Sequence, residues 1–409
     1  MADLVVVNCG EVATCDGSDG GVGAIADGAV VVDSGKVTWV GSMKDFRRKA
    51  LGKPRKEIDA RGMLVTPGFI DPHTHLAFAG SREDELEKKA LGKTYLEILD
   101  EGGGIARTID STRRAPEGQV LGESGQRISQ LVRNGVTTVE VKTGYGQRLK
   151  DELKLLRVIR KMDRTWGAEV VPTFLGLHAK PTEFKDADEF VRYAIGTMLP
   201  GVAASPMKPE FSDCFCEDGV FSKEQCRKYL AASKRLGFRL KIHADEFHES
   251  GGAGLAAEAG CVSADHLGMA SQDGVKRMGR KGVTAVLLPG TSLYSSIPYA
   301  HAKEIMHLGC RVALGTDLSP NSWVESPQVV MGLACTALRM TPGQALLGFT
   351  RNAADAIGRS DIGSITPGNK ADLVIHRVKS HRDLPYRMGG NYVDMVIKEG
   401  KEIFRAPAA

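Results

Sequence analysis

A chain of 409 residues is long for a single hydrophobic core, so a large domain with a smaller companion is expected. Apolar residues make up 42% and charged residues 25%, ordinary globular usage, and the formal charge of +4 comes from scattered basic residues, which argues against a nucleic-acid or membrane surface. No apolar run approaches the ~20 residues of a spanning helix, the N-terminus has no leader-like pattern, and the eight cysteines include no Cys-x-x-Cys pair. A cytoplasmic protein with buried free thiols is expected.

The chain opens with β-rich stretches at 4–8, 29–33 and 37–40, separated by Gly and Asp clusters. It closes with similar stretches at 371–376, 395–398 and 402–404. Two β-rich ends around a different middle predict one small β-sandwich domain, 1–65 with 363–409, assembled from both termini. The middle, 66–362, alternates strand and helix. Eight apolar strands are predicted at 68–75, 136–143, 169–178, 211–217, 238–244, 262–267, 283–289 and 311–317. Helical stretches at 147–164, 223–236, 252–259 and 299–308 lie between the later ones. Eight strands alternating with helices predict an α/β fold, a (β/α)₈ TIM-like barrel; an open doubly wound sheet is the alternative. The segment 78–133 exceeds one crossover helix, so extra helices are expected there together with an active-site loop at its glycine-rich part, 101–107.

The histidines follow the strand ends. The first strand ends Asp71-Pro72-His73-Thr74-His75, and residues two apart on a strand face one side, so the two imidazoles point together. The fifth strand ends at His243, the sixth at Asp265-His266, the eighth at Asp317. Of ten histidines, four fall on these ends, and His178 ends the third strand. A barrel enzyme gathers its reactive groups at the C-terminal ends of different strands, so this placement predicts a metal site. His-Glu-x-x-His, Gly-x-Ser-x-Gly and a full Gly-x-Gly-x-x-Gly are absent, which sets aside zincin, serine-hydrolase and dinucleotide readings.

These residues resemble the amidohydrolase superfamily. The pieces Gly80-Ser81-Arg82-Glu83, Lys142-Thr143-Gly144-Tyr145-Gly146 and Leu175-Gly176-Leu177-His178-Ala179 are similar, more narrowly, to the imidazolonepropionase family. The resemblance spans nearly the whole chain. It implies one Zn²⁺ or Fe³⁺ held by His73, His75, His243 and Asp317. It implies hydrolysis of 4-imidazolone-5-propanoate to N-formimidoyl-L-glutamate by a metal-activated water, in histidine breakdown. Arg82, Tyr145, His178 and Glu246 are implied to contact substrate. Glu246, His266 and Asp317 are the expected catalytic groups. Two-metal members of the superfamily usually carry a lysine on strand 4, which here has none, so one metal is favoured; Glu217 is the acidic residue at that strand's end.

The chain departs from the family after Asp317. It reads Ser319-Pro320-Asn321-Ser322, where many members read Asn-Pro-Gly-Ser or Asn-Pro-Gly-Thr. Ser319, Asn321 and Ser322 are still expected at the substrate, with Asn321 supplying the amide missing at 319. The expected partner is the small-molecule substrate, with no nucleic acid or membrane and with a homodimer in keeping with relatives. The alternatives are an aminohydrolase that deaminates a nucleobase on the same fold, and a non-catalytic relative. Arg82 disfavours the first, because a nucleobase has no carboxylate. The complete ligand set disfavours the second.

Overall fold

The computed structural model describes residues 2–17, 21–49, 53–93, 97–98 and 101–407. Its first strands are β1 (Leu4–Ala13), β2 (Ala24–Asp33), β3 (Lys36–Ser42), β4 (Lys56–Asp59) and β5 (Leu64–Pro67). The middle supplies β6 (Phe69–Asp71), β7 (Val136–Lys142), β8 (Glu169–Leu177), β9 (Phe211–Cys216), β10 (Arg239–Ala244), β11 (Ser263–His266), β12 (Thr284–Leu287) and β13 (Val312–Leu314). The chain returns with β14 (Leu373–His376), β15 (Val393–Lys398) and β16 (Lys401–Arg405).

The two ends share one sheet of order β16-β15-β14-β5-β1-β2-β3, with β4 also pairing with β1. Alternation builds its two faces. Leu4, Val6, Val30 and Val32 pack with Leu373, Ile375 and Ile397, whereas Val5, Val7 and Val31 face a smaller cluster with Met43. The small β domain made from both termini is therefore present.

The eight central strands pair in chain order and in parallel. Past the regular strands, the Asp317 N–H donates to the His73 carbonyl (3.1 Å) and the His75 N–H to the Leu318 carbonyl (2.9 Å), closing the first strand onto the eighth. The predicted (β/α)₈ barrel is observed, and the open sheet is not. Helices Leu149–Met162, Lys223–Arg235, Gly252–Ala259 and Ala302–His307 fall within the stretches read from sequence.

One reading is corrected. The extra helices expected in 78–133 are present, at Asp84–Ala90, Gly104–Arg114 and Glu117–Arg133, but the stretch 101–107 is not all loop, because the second of them begins inside it. Gly103 at the N-cap offers no side chain, but the Glu85 carboxylate accepts the Gly104 N–H at 2.7 Å and caps the helix from a distant segment. All eight cysteines are free thiols; seven are buried, and Cys335 is only partly so.

Inside the barrel, charge sits beneath the mouth. Lys142 on β7 contacts Glu140 on its own strand (2.8 Å), Asp213 on β9 (2.8 Å) and Asp265 on β11 (3.6 Å). Lys241 on β10 reaches Glu140 at 3.1 Å. Strands that are not neighbours can meet in this way only across the barrel interior. All five side chains are fully buried, so the two ammonium groups must offset the three carboxylates, leaving one formal negative charge beneath the histidines.

Candidate metal centre and substrate mouth

Three strand ends bring four donors to one point. His73 Nε2 and His75 Nε2 lie 3.2 Å apart, on the segment that continues past the end of β6 at Asp71. His243 Nε2 lies 3.2 Å from His75 Nε2. Asp317 Oδ1 lies 3.4 Å from His73 Nε2 and 3.5 Å from His75 Nε2. The backbone bends sharply where the strands end: Asp245, His266 and Asp317 adopt left-handed conformations with φ of 53°, 75° and 51°. Non-glycine residues rarely do so, and such strain concentrates at functional sites.

Protons are excluded from the centre by the layer below. His73 Nδ1 lies 2.6 Å from Asp265 Oδ2, and His243 Nδ1 lies 3.2 Å from Asp213. Each carboxylate accepts the Nδ1 proton, so both rings are turned with Nε2 toward the centre. A proton on His75 Nε2 could bridge to only one of them, and His75 Nδ1 is buried with no hydrogen-bond partner. Burial, then the Lys142 charge, holds the His73 imidazole well below its usual range. Burial, then His178 and His243, does the same for His75. Burial raises Asp317 to about 6, although the Thr291 hydroxyl donates to it at 2.5 Å.

Two imidazoles held neutral, His73 and His75, therefore face the Asp317 carboxylate, with His243 Nε2 beside them. Ligands of a tetrahedral ion held at ~2.0–2.1 Å stand roughly 3.3 Å apart, and the His73–His75, His75–His243, His73–Asp317 and His75–Asp317 separations of 3.2, 3.2, 3.4 and 3.5 Å match that edge; His73, His75 and Asp317 form one group able to hold an ion, and His73, His243 and His266 an overlapping one. The donor set fits a single divalent or trivalent cation. Glu217 is occupied elsewhere: its carboxylate accepts from the Glu246 and Phe247 N–H groups (2.9 and 3.0 Å) and pairs with the His248 ring (2.9 Å).

The other expected residues surround this centre. His266 is buried, with Nε2 3.6 Å from Glu246 Oε2. Burial drives the Glu246 carboxyl well above its usual range, with Asp317 and Glu217 adding to the effect. Burial and the neighbouring His243 hold His266 neutral. The His178 ring stacks on His75 at 4.9 Å, and its Nδ1 donates to the Gly144 carbonyl at 3.2 Å. Gly144 has φ of 112°, and a Cβ there would stand 2.9 Å from His178 Nδ1, so a glycine is needed for this approach. Tyr145 is buried, its ring 5.2 Å from that of His178.

Arg82 pairs with neither Glu83 nor Asp84, the neighbours that sequence adjacency suggests. Glu83 accepts from Ser81, and Asp84 from Arg107. Instead Arg82 Nε and Nη2 donate to Glu85 Oε2 at 2.9 and 2.7 Å, one turn along. Arg82 Nη2 also reaches Asn321 Oδ1 at 3.4 Å. Ser319 and Ser322 close a tight turn: the Ser319 N–H donates to the Ser322 carbonyl (3.1 Å), and the Ser322 N–H to Ser319 Oγ (3.2 Å). Asn321 projects from that turn toward Arg82.

The sequence reading missed the orienting roles of Asp213, Asp265, Lys142 and Thr291. A signal was available, since Glu140, Lys142, Asp213 and Lys241 are charged residues within otherwise apolar strands, spaced so that alternate positions face the barrel interior.

Residues 64–403 match the Amidohydrolase family. The chain is 45% identical over 390 residues to the imidazolonepropionase of Geobacillus kaustophilus (strain HTA426), covering 93% of this chain and 91% of the relative. It is 42% identical over 413 residues to the imidazolonepropionase of Alkaliphilus metalliredigens (strain QYMF), covering 98% of each. Among solved structures, an adenosine deaminase from Xanthomonas campestris with bound zinc superposes with a TM-score of 0.75 at 17% identity, covering 98% of this chain and 92% of that one, a likeness of fold alone. The chain belongs to the amidohydrolase family, on the branch it shares with the imidazolonepropionases.

Proposed function

We propose that this enzyme hydrolyses the cyclic amide of 4-imidazolone-5-propanoate to N-formimidoyl-L-glutamate, using one Zn²⁺ or Fe³⁺ held by His73, His75, His243 and Asp317. The observation that carries this reading is the nearly full-length likeness to imidazolonepropionases at 42–45% identity. When bound, such an ion makes water nucleophilic near neutral pH and polarises an amide carbonyl.

The chain's own residues do the rest. Arg82 and Tyr145 hold the propanoate and set the ring's orientation over the centre. Asp317, raised toward neutrality by burial, accepts the proton that the attacking water gives up. Water oxygen adds to the ring carbonyl carbon, and His266 stabilises the negative charge that develops on the carbonyl oxygen. The carbon–nitrogen bond then breaks, leaving a carboxylic acid at that carbon; its proton returns to Glu246 after Glu246 has protonated the nitrogen, the product carboxylate forms, and Asp317 releases its proton to solvent. Glu246, held in its acid form by burial, gives its proton to the departing ring nitrogen. His178 lines the wall between Gly144 and His75 and positions the ring.

The test is a spectrophotometric assay with freshly made 4-imidazolone-5-propanoate on protein of measured metal content. Loss of ring absorbance that scales with metal content is expected. Turnover of a nucleobase with no action on the imidazolone would overturn the reading in favour of an aminohydrolase.

A further inference from the structure

We infer that Lys89 is a second cation for the substrate carboxylate, forming with Arg82 and Asn321 a clamp that selects anionic over neutral imidazolones. The inference rests on the activity proposed above and deepens it. Lys89 lies near the end of the helix Asp84–Ala90, which follows directly from Arg82. Its ammonium donates to Asn321 Oδ1 at 3.1 Å, and Arg82 Nη2 approaches the same oxygen at 3.4 Å. A side-chain carbonyl oxygen thus already stands between two cations, where a carboxylate oxygen would sit.

The charge balance points the same way. Glu85 is the one carboxylate shared by this group, and it is already engaged by the Arg82 fork and the Gly104 N–H. Lys89 has no ion-pair partner among the described residues, so Arg82, Lys89 and Glu85 carry a net positive charge. Lys89 is half-buried; burial, and then the nearby Arg82, hold it below the ordinary lysine range. A desolvated cation beside a like charge is stabilised by an incoming anion more than an exposed one is. Arg82 lies on the segment that follows His75, and Asn321 on the turn that follows Asp317, so the cluster joins the segments leaving the first and eighth strands at the metal-donor end of the barrel. The departure from Asn-Pro-Gly has a consequence here: Asn321, at the usual glycine position, bridges the two cations and also donates to Ser295 Oγ at 3.3 Å.

Steady-state kinetics on two substrates test this, 4-imidazolone-5-propanoate and its neutral propanamide. Lys89→Met should raise KM for the propanoate at least about tenfold, leave kcat within about twofold, and leave KM for the propanamide unchanged. Lys89→Arg should restore most of the affinity. Asn321→Asp, which places a carboxylate between the cations, should raise KM for the propanoate by a comparable factor. A Lys89→Met KM within about twofold of the parent refutes the role, as does an equal rise for both substrates. If Lys89→Met does not fold, Asn321→Asp decides: an unchanged KM refutes the clamp. A parent protein inactive on the propanoate refutes the proposed activity itself, a result distinct from an active parent with an indifferent Lys89→Met.

Discussion

Lys142→Met is the most informative perturbation of the barrel interior. Methionine nearly matches lysine in length and packs well in apolar surroundings, so the change removes charge rather than volume. The lost ammonium lies 2.8 Å from Glu140, 2.8 Å from Asp213 and 3.6 Å from Asp265, all fully buried. The five-residue group goes from one formal negative charge to two, with Lys241 left as its only cation. Breaking a buried ion pair by deleting one partner costs about 3–5 kcal/mol. An unfolding entropy of roughly 2.1 cal/mol/K per residue gives about 0.9 kcal/mol/K for 409 residues, so the melting temperature should fall by about 4–6 °C. Asp213 and Asp265 also fix the proton-bearing side of His243 and His73, so metal affinity should fall about 10–100-fold. Calorimetry and competition with a metal chelator read the two effects separately. The double variant Lys142→Met/Asp213→Asn should recover part of the lost stability. A Lys142→Met protein that melts within about 1 °C of the parent and holds metal equally well would refute the charge argument.

Three further outcomes are expected. His243→Ala should lose most bound metal by elemental analysis, because the remaining donors no longer close around one ion; full metal content would remove His243 from the ligand set. His266→Gln should keep its metal while kcat falls by at least about a hundredfold, since the group is proposed to act on the transition state; parallel loss of metal would make it a ligand. The third concerns His376, buried against Phe69 and bonded to Thr66 Oγ1 at 2.9 Å, with its imidazole pushed down by burial to about 3. The unfolded chain, with an imidazole near 6.5, binds this proton first, so the stability linked to a neutral His376 is present above about pH 6.5 and drains away as pH falls toward 3. At pH 5 the loss is roughly 2 kcal/mol. His376→Gln should shrink the stability difference between pH 7 and pH 5 by about that amount, measured by denaturant unfolding; an unchanged difference would contradict the assignment.

What the sequence made legible follows from local periodicity. His73 and His75 were expected to share a side because strand side chains repeat every two residues, and their Nε2 atoms do meet although the strand ends at Asp71; the donors gather because parallel strands end at one rim. Nonlocal partners were hidden. Nothing near Lys142 in sequence names Asp213 or Asp265 as its counter-charges, since they lie on other strands and meet it only across the closed barrel. The helix Gly104–Arg114 read as loop because Gly102, Gly103 and Gly104 signal a turn, and its cap comes from Glu85 in a separate segment. Arg82 was legible as a cation near the mouth, but its partner was not, because the helical turn that begins there brings the residue three along, Glu85, under the guanidinium and carries Glu83 and Asp84 away. Asn321 was expected near substrate, and the tight turn between Ser319 and Ser322 aims it at Arg82 and Lys89.

The most direct test of the central claim is the nitrogen balance of the reaction. Protein with one equivalent of bound metal is incubated with 4-imidazolone-5-propanoate, and both N-formimidoyl-L-glutamate and free ammonia are quantified as the ring absorbance falls. Ring opening by water predicts one N-formimidoyl-L-glutamate per ring consumed and no ammonia. Ammonia released in step with ring loss, or a ring that persists in the presence of metal-replete protein, would contradict it.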